Sequence, residues 1–269
     1  MAGGSSNFAS IALMGTNKAG KLKPDAKGYY TVVLGGFETK NLHGDEYPLT
    51  AQAERLFHSS SQFMRQIEEG NLYGELGHPK RLPGESMMQF IKKCMLVNED
   101  RCCMHIRRIY LDKENVKDKN GKTIVAVIGE IRPQGQLGHV LKDILDNPDS
   151  NCCFSVRANT DDEKLPNGRE RRSVKQIVTF DFVNDPGVVT STKYKSPKLE
   201  NADNNSFDCV ADVFNLEVDN TVLRKLREEC RNPQGSFKTE SAGRIDSMID
   251  VLLGKDYSQS RSVPSSRLW

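Results

Sequence analysis

Gly74-Glu75-Leu76-Gly77-His78-Pro79 sets a histidine among glycines and just before a proline. The two glycines allow close backbone approach, and proline excludes helix at the residue before it. His78 is therefore expected outside regular structure, where its imidazole can point across a cleft. A second stretch, Cys152-Cys153-Phe154-Ser155-Val156-Arg157-Ala158, reads as a strand that presents one hydroxyl in apolar surroundings. A third, Thr179-Phe180-Asp181-Phe182-Val183, interrupts an apolar run with a carboxylate, an odd place for a charge without a partner. All three lie between or within segments that read as β-structure. Helical patterns separate some of those segments, so the fold class is α+β.

Working outward, Tyr29-Tyr30-Thr31-Val32-Val33-Leu34 is dense in aromatic and β-branched residues and predicts a strand, with Gly35-Gly36 as a bulge or bend. Thr50 caps a predicted helix, Ser59-Ser60-Ser61 can break it in two, and Gly70 stops it. Residues 86–93 predict a short helix. Two strands, 104–111 and 123–131, flank a charged hairpin loop with Asn120-Gly121 at its turn. Residues 139–145 form a short amphipathic helix, and 160–172 a solvated loop. The strand 174–183 alternates Val174, Gln176, Val178 and Phe180 against Lys175, Ile177, Thr179 and Asp181. Two helices close the pattern, one over 221–230 and one capped by Ser241 with Ile245, Ile249, Leu252 and Leu253 on its apolar face. The expected organisation is a loose arm over 1–27, a main domain over 28–195 and an Asn- and Asp-rich linker over 196–212. A helical segment over 213–257 and a flexible tail over 258–269 complete it.

Composition narrows the function classes. A chain of 269 residues can bury a full core. A formal net charge of +2 gives no case for a nucleic-acid partner. No apolar run is long enough to cross a bilayer, so no membrane role is expected. The N-terminus is small and polar and lacks a basic-then-apolar signal pattern, which predicts a protein made and used inside a cell. Seven cysteines, with vicinal pairs at 102–103 and 152–153, fit reduced thiols. Cys94, Cys102, Cys103 and His105 lack the C-x-x-C spacing of a zinc site, so neither a metal nor another cofactor is expected.

A serine hydroxyl is a weak nucleophile at neutral pH. It needs a base for its proton and a third group that holds the base in one tautomer. His78 is the candidate base, Ser155 the candidate nucleophile and Asp181 the candidate orienting acid of a serine peptidase. Each has a plainer reading: His78 as a turn residue, Ser155 as a tolerated small residue, Asp181 as a solvent-facing carboxylate on an edge strand. His105 competes as base but reads as a packing residue. His139 opens a helix, and His43 and His58 have no apolar setting. Cys152 or Cys153 could replace Ser155, with Arg157 the sole nearby group able to lower a thiol pKa.

The three blocks together, ending in Thr-Phe-Asp-Phe-Val-Asn-Asp-Pro-Gly, resemble the tailed-phage prohead protease family, whose fold is similar to that of the herpesvirus assemblins. The resemblance covers about residues 28–195, in the family's block order. It implies a mostly antiparallel β-barrel flanked by helices, with the C-terminal helical segment appended. It places the family's histidine on His78 and its serine on Ser155, and the third member on Asp181, with Asp185 in reserve. Oxyanion donors would be the backbone N–H groups of Gly187 and Val188, with Arg157 as support. Two positions depart from the family's pattern: Gly77 stands where an acidic residue often precedes the histidine, and Val156 stands in the middle of the usual Ser-Ser-Arg. The implied function is cleavage of scaffold and major capsid proteins during prohead maturation, in the host cytoplasm inside the assembling prohead, with retention in the virion allowed. The implied enzyme also cuts itself, with Lys198-Leu199-Glu200 and Asn215-Leu216-Glu217 as candidate places in exposed sequence. Other copies of the chain are allowed as partners. The alternatives are a non-catalytic head or scaffold-associated protein on the same fold, and an unrelated hydrolase or thiol enzyme.

Overall fold

The computed structural model describes residues 5–12, 21–41, 44–118, 120–184, 199–200, 214–231 and 239–253. The first strands are β1 (Ser5–Ala12), β2 (Lys21–Leu22), β3 (Tyr30–Phe37), β4 (Thr39–Lys40) and β5 (Glu46–Tyr47). Two short helices follow, α1 (Ala51–Arg55) and α2 (Gln62–Glu68), and then β6 (Tyr73–Glu75) and α3 (Met87–Met95). Next come β7 (Cys102–Asp112), β8 (Val125–Pro133) and α4 (Gly138–Asp146). The hairpin of β9 (Cys153–Lys164) and β10 (Glu170–Val183) precedes β11 (Leu199–Glu200) and β12 (Phe214–Asp219). Helices α5 (Asn220–Arg231) and α6 (Thr239–Leu252) come last.

Local signals set many of these boundaries. Thr50 Oγ1 accepts from Ala53 N at 3.1 Å and caps α1, while Ser61 Oγ accepts from Met64 N at 3.0 Å and caps α2, so the serine run does divide the helix. Ser86 and Gln89 form a capping box at the start of α3. The expected irregularity in β3 is a register shift between Val33 and Gly35.

The strands form two main sheets. One runs β12-β1-β9-β10-β5-β4 and the other β3-β8-β7-β6. The β9–β10 and β7–β8 ladders are antiparallel, while β5 meets β10 in parallel at Glu46 and Arg171. The closed barrel expected from the resemblance is absent among the described residues; both sheets are open. At their junction β6 is three residues long. It ladders with β7, and its exit meets β10 through a single parallel bridge, Leu76 to Phe182. One bridge joins the sheets at a point rather than along a seam.

One apolar cluster draws on both sheets and on α2 and α4, with Leu34, Ile106, Leu141, Phe154, Phe180 and Phe182 among its members. A second joins Phe90, Ile91 and Met95 of α3 to Leu226 of α5 and Ile245 and Ile249 of α6. Register shifts in β10, between Val174 and Gln176 and between Ile177 and Thr179, break the expected alternation. Val174, Ile177 and Phe180 therefore share the first core, and Val178, expected beside Phe180, joins the second.

Several segment expectations change. Ser5–Ala12, expected in a loose arm, is a strand held between β9 and β12. Its small polar residues carry little intrinsic β signal; two flanking strands supply the hydrogen bonds instead. Phe214–Asp219, expected in a helical segment, is the strand that pairs with β1. The expected loop over 160–172 shrinks to 165–169, because β9 and β10 continue into it. Apart from Leu199–Glu200 and the start of β12, the expected linker and self-cleavage region lies outside the described residues, as does the tail over 258–269. No helix of the described residues is long and apolar enough to cross a membrane.

The second cluster makes the C-terminal helices part of the folded unit. Ile249, with 0% of its surface exposed, touches that cluster from α6. Ile249→Ala is expected to cost about 2–5 kcal/mol. In urea unfolding this shifts one cooperative transition; an early separate transition would show that α5 and α6 fold independently.

Candidate active site

Antiparallel pairing of β9 with β10 sets Ser155 directly opposite Asp181, and directly opposed residues project to one face of a sheet. The neighbours Phe154, Val156, Phe180 and Phe182 take the other face and pack in the first core. Ser155, Arg157 and Asp181 therefore share the face that the core does not use.

The histidine reaches this face by a route that the Gly74–His78 stretch makes possible. A Cβ on Gly74 would lie 2.2 Å from Phe180 O and 2.3 Å from Met104 Cε, so glycine alone lets β6 approach β10 this closely. Leu76 then bridges Phe182, and Gly77 N donates to Phe182 O at 2.7 Å. Gly77 turns with φ +74°, in the left-handed region. Arg101 clamps the same segment: its O accepts from Leu76 N at 2.9 Å, and its guanidinium donates to Leu76 O.

The result is a continuous chain of three side chains. His78 Nε2 lies 2.8 Å from Ser155 Oγ, and His78 Nδ1 lies 2.9 Å from Asp181 Oδ2. An ionised Asp181 can only accept, so Nδ1 carries the proton and Nε2 is left to accept from the Ser155 hydroxyl. Ser155 and Asp181 are 0% exposed, and the His78 side chain keeps 14%.

Asp181 is held by a dense set of donors. Arg157 Nε donates to Oδ2 at 2.9 Å and Arg157 Nη2 to Oδ1 at 2.7 Å, while Glu75 N donates to Oδ1 at 3.1 Å. Burial by itself pushes the Asp181 pKa up, but the Arg157 charge and the bonds from His78 and Arg157 outweigh it and hold the pKa at about 2. Arg157 Nη2 also donates to Glu75 Oε1 at 2.8 Å, and Nη1 to Lys93 O at 3.2 Å and Leu96 O at 2.7 Å. Burial opposes the charge on Arg157, yet the two carboxylates keep its pKa above the ordinary arginine value. Glu75, 1% exposed, moves the other way: burial raises its pKa, with Arg157 opposing and Asp181 adding to the rise.

Other expected residues fall into place or drop out. Arg157 does not suit an oxyanion, because a guanidinium has five N–H donors and these five bonds use them all. Asp185, Gly187, Val188 and His43 lie outside the described residues. His105 is a packing residue: its Nδ1 accepts from Tyr29 OH at 2.8 Å and its Nε2 donates to Gly70 O at 3.0 Å. The six described cysteines are buried. Cys152 sits in the first core and Cys153 against Val183, so the hydroxyl that meets His78 is that of Ser155. Among the described residues no group of three His, Cys, Asp or Glu side chains could hold a metal ion. The residue that sequence reading passed over is Glu75. Its signal was present, since a carboxylate beside a close-approach glycine has little room to reach water.

Two outcomes follow from this geometry. Gly74→Ala should separate β6 from β10, lower stability and slow any reaction that uses His78; urea unfolding and turnover measure the two effects. Asp181 has a folded pKa of about 2 against an unfolded value near 3.9. Its stabilisation is complete above the unfolded value and is lost as pH falls through the folded one. Glu75 acts in the opposite sense, since its raised pKa makes protonation in the folded state favourable. Comparing wild type with Asp181→Asn isolates the Asp181 part: the acid loss of unfolding free energy between about pH 4 and pH 2 should be smaller in the variant.

The chain is similar to known proteins. The capsid maturation protease of Pseudomonas phage phiKZ is 34% identical over 249 residues, which span 91% of this chain and 87% of that protein. The solved structure of the bacteriophage T4 capsid assembly protease, gp21, aligns with 68% of this chain and 98% of its own at 16% identity, with a TM-score of 0.38. The family model described as Peptidase S80 family matches residues 8–248, from within β1 to within α6 and across all three side chains. The chain belongs to the Peptidase S80 family.

Proposed function

We propose that this peptidase is a serine endopeptidase that cleaves scaffold and major capsid proteins during phage prohead maturation, inside the assembling prohead in the host. The observation that carries the reading is the hydroxyl–imidazole–carboxylate chain, with links of 2.8 and 2.9 Å. The relatives named as capsid maturation and capsid assembly proteases supply the setting. An assemblin-like fold for the two sheets is part of the same reading, supported by the resemblance of the three blocks, in order, to the prohead proteases.

Ser155 Oγ attacks the scissile carbonyl carbon while its proton passes to His78 Nε2. Asp181, ionised and fixed, holds the Nδ1 proton in place and stabilises the imidazolium. The C–N bond breaks as Nε2 gives the proton to the leaving amine, and water then hydrolyses the acyl-enzyme by the same proton path in reverse. Backbone N–H groups at Gly187 and Val188 are the proposed donors to the oxyanion. Such donors typically contribute about 10²–10³ in rate.

Ser155 is buried, and the His78 side chain, 14% exposed, is the member of the chain that reaches the surface. Self-cleavage belongs to the same proposal. Leu199–Glu200 pairs with β2, and Asn215 to Glu217 pair with β1. Cutting at either place first requires a strand to leave its partner.

Ser155→Ala should abolish processing in co-expression with the cognate capsid and scaffold proteins, and intact mass should show it uncut where the wild-type chain is shortened. Asp181→Asn should lower turnover by about 10³-fold or more, and joint replacement of Cys152 and Cys153 should leave the chemistry in place. Continued processing by Ser155→Ala would remove the reading. A large loss at Asp185→Asn with none at Asp181→Asn would move the acid.

A further inference from the structure

Catalysis by a buried His–Asp pair depends on what sits behind the acid. We propose that Arg157 and Glu75 are positioning residues, a buried couple that keeps Asp181 ionised and aimed at His78 Nδ1. The proposal rests on the serine-peptidase reading above and assigns neither residue a contact with substrate.

The geometry runs in one direction. Glu75 is anchored twice beyond Arg157: its Oε1 accepts from Asn98 N at 2.9 Å, and its Oε2 lies 3.6 Å from Arg101 Nε. Its other contact, through Oε1, is Arg157 Nη2 at 2.8 Å. Arg157 is fixed from a second side by the carbonyls of Lys93 and Leu96, at the C-terminal end of α3, where a cation is favoured. What remains of the guanidinium, one Nε–H and one Nη2–H, forms a fork on both oxygens of Asp181. With that fork and Glu75 N in place, the free lone pair on Oδ2 points at the imidazole.

Charge decides the sign of the effect. The groups facing the His78–Asp181 pair are Arg157 from β9, Glu75 from β6 and the buried thiols of Cys94, Cys102 and Cys103, while Arg101 faces Glu75 and Arg244 of α6 faces Arg157. The thiols stay neutral, since burial pushes Cys94 to about 12 and Cys103 higher still. Arg157 is the nearest cation and Glu75 the nearest second anion. Losing the cation raises the proton affinity of the His78–Asp181 pair as a unit, and losing the anion lowers it, wherever within the pair the proton sits.

The test is the acid limb of kcat/KM against pH, read with the full chain on a peptide copied from the cleavage site of the cognate capsid protein. Glu75→Gln should move the limb to lower pH by about half a unit or more. Arg157→Lys keeps the charge and loses the fork, so the limb should stay while kcat falls by roughly ten- to a hundredfold. The paired change Arg157→Met with Glu75→Gln leaves no unmatched charge of the couple and is the variant most able to fold; its limb should move to higher pH by about one unit. Folded variants that lose activity with all limbs unmoved would overturn the proposal and reduce both residues to packing. So would full activity in Arg157→Lys. Failure of the serine reading has another signature, which is full activity in Ser155→Ala whatever these variants do.

Discussion

The buried guanidinium of Arg157 is the constraint that the surrounding structure answers to. Taking a cation and two carboxylates out of water costs several kcal/mol per ion before any pairing is counted. That cost is tolerated when every donor and acceptor is met, and the five N–H groups of Arg157 are all engaged by Asp181, Glu75 and two main-chain carbonyls. The partners come from β6, from the end of α3 and from β10. The three charges therefore do little to discriminate folded from unfolded by net energy, but they allow few arrangements of those three elements. Any displacement of one leaves a buried charge without a partner.

Close approach is the second constraint. The two open sheets touch where β6 exits against β10, and Gly74 sets how near they come. With a side chain at that position the Leu76–Phe182 bridge could not form at its present spacing, and His78 would be carried away from Ser155. The Gly-Glu-Leu-Gly-His order thus has a physical reason at each step: approach at Gly74, charge pairing at Glu75, bridging at Leu76, a left-handed turn at Gly77, and then the imidazole.

The terminal parts of the chain belong to the same construction. β1 shields the edge of β9 next to Ser155, since Ala12 is the residue paired with Ser155, and β12 shields β1 in turn. Helices α5 and α6 pack on α3, whose last carbonyls hold Arg157. A family match that runs from residue 8 to residue 248 fits a unit in which these elements are built in rather than appended.

The sequence by itself determined the α+β class, most strands and helices, and the three side chains that meet, because those signals are local. A capping serine, an alternating apolar strand or a glycine–histidine–proline turn is legible within a few residues. It did not determine the register shifts in β10, the recruitment of Ser5–Ala12 into a sheet, the opening of the expected barrel or the place of Glu75. Those depend on partners distant in sequence. Whether a weak β segment becomes a strand depends on what lies beside it, and whether a carboxylate is solvent-facing or a buried anchor depends on where a guanidinium arrives. Only tertiary structure brings Arg157 between Asp181 and Glu75, because pairing of charges removed from water is a property of the packed interior and leaves no local pattern in the chain.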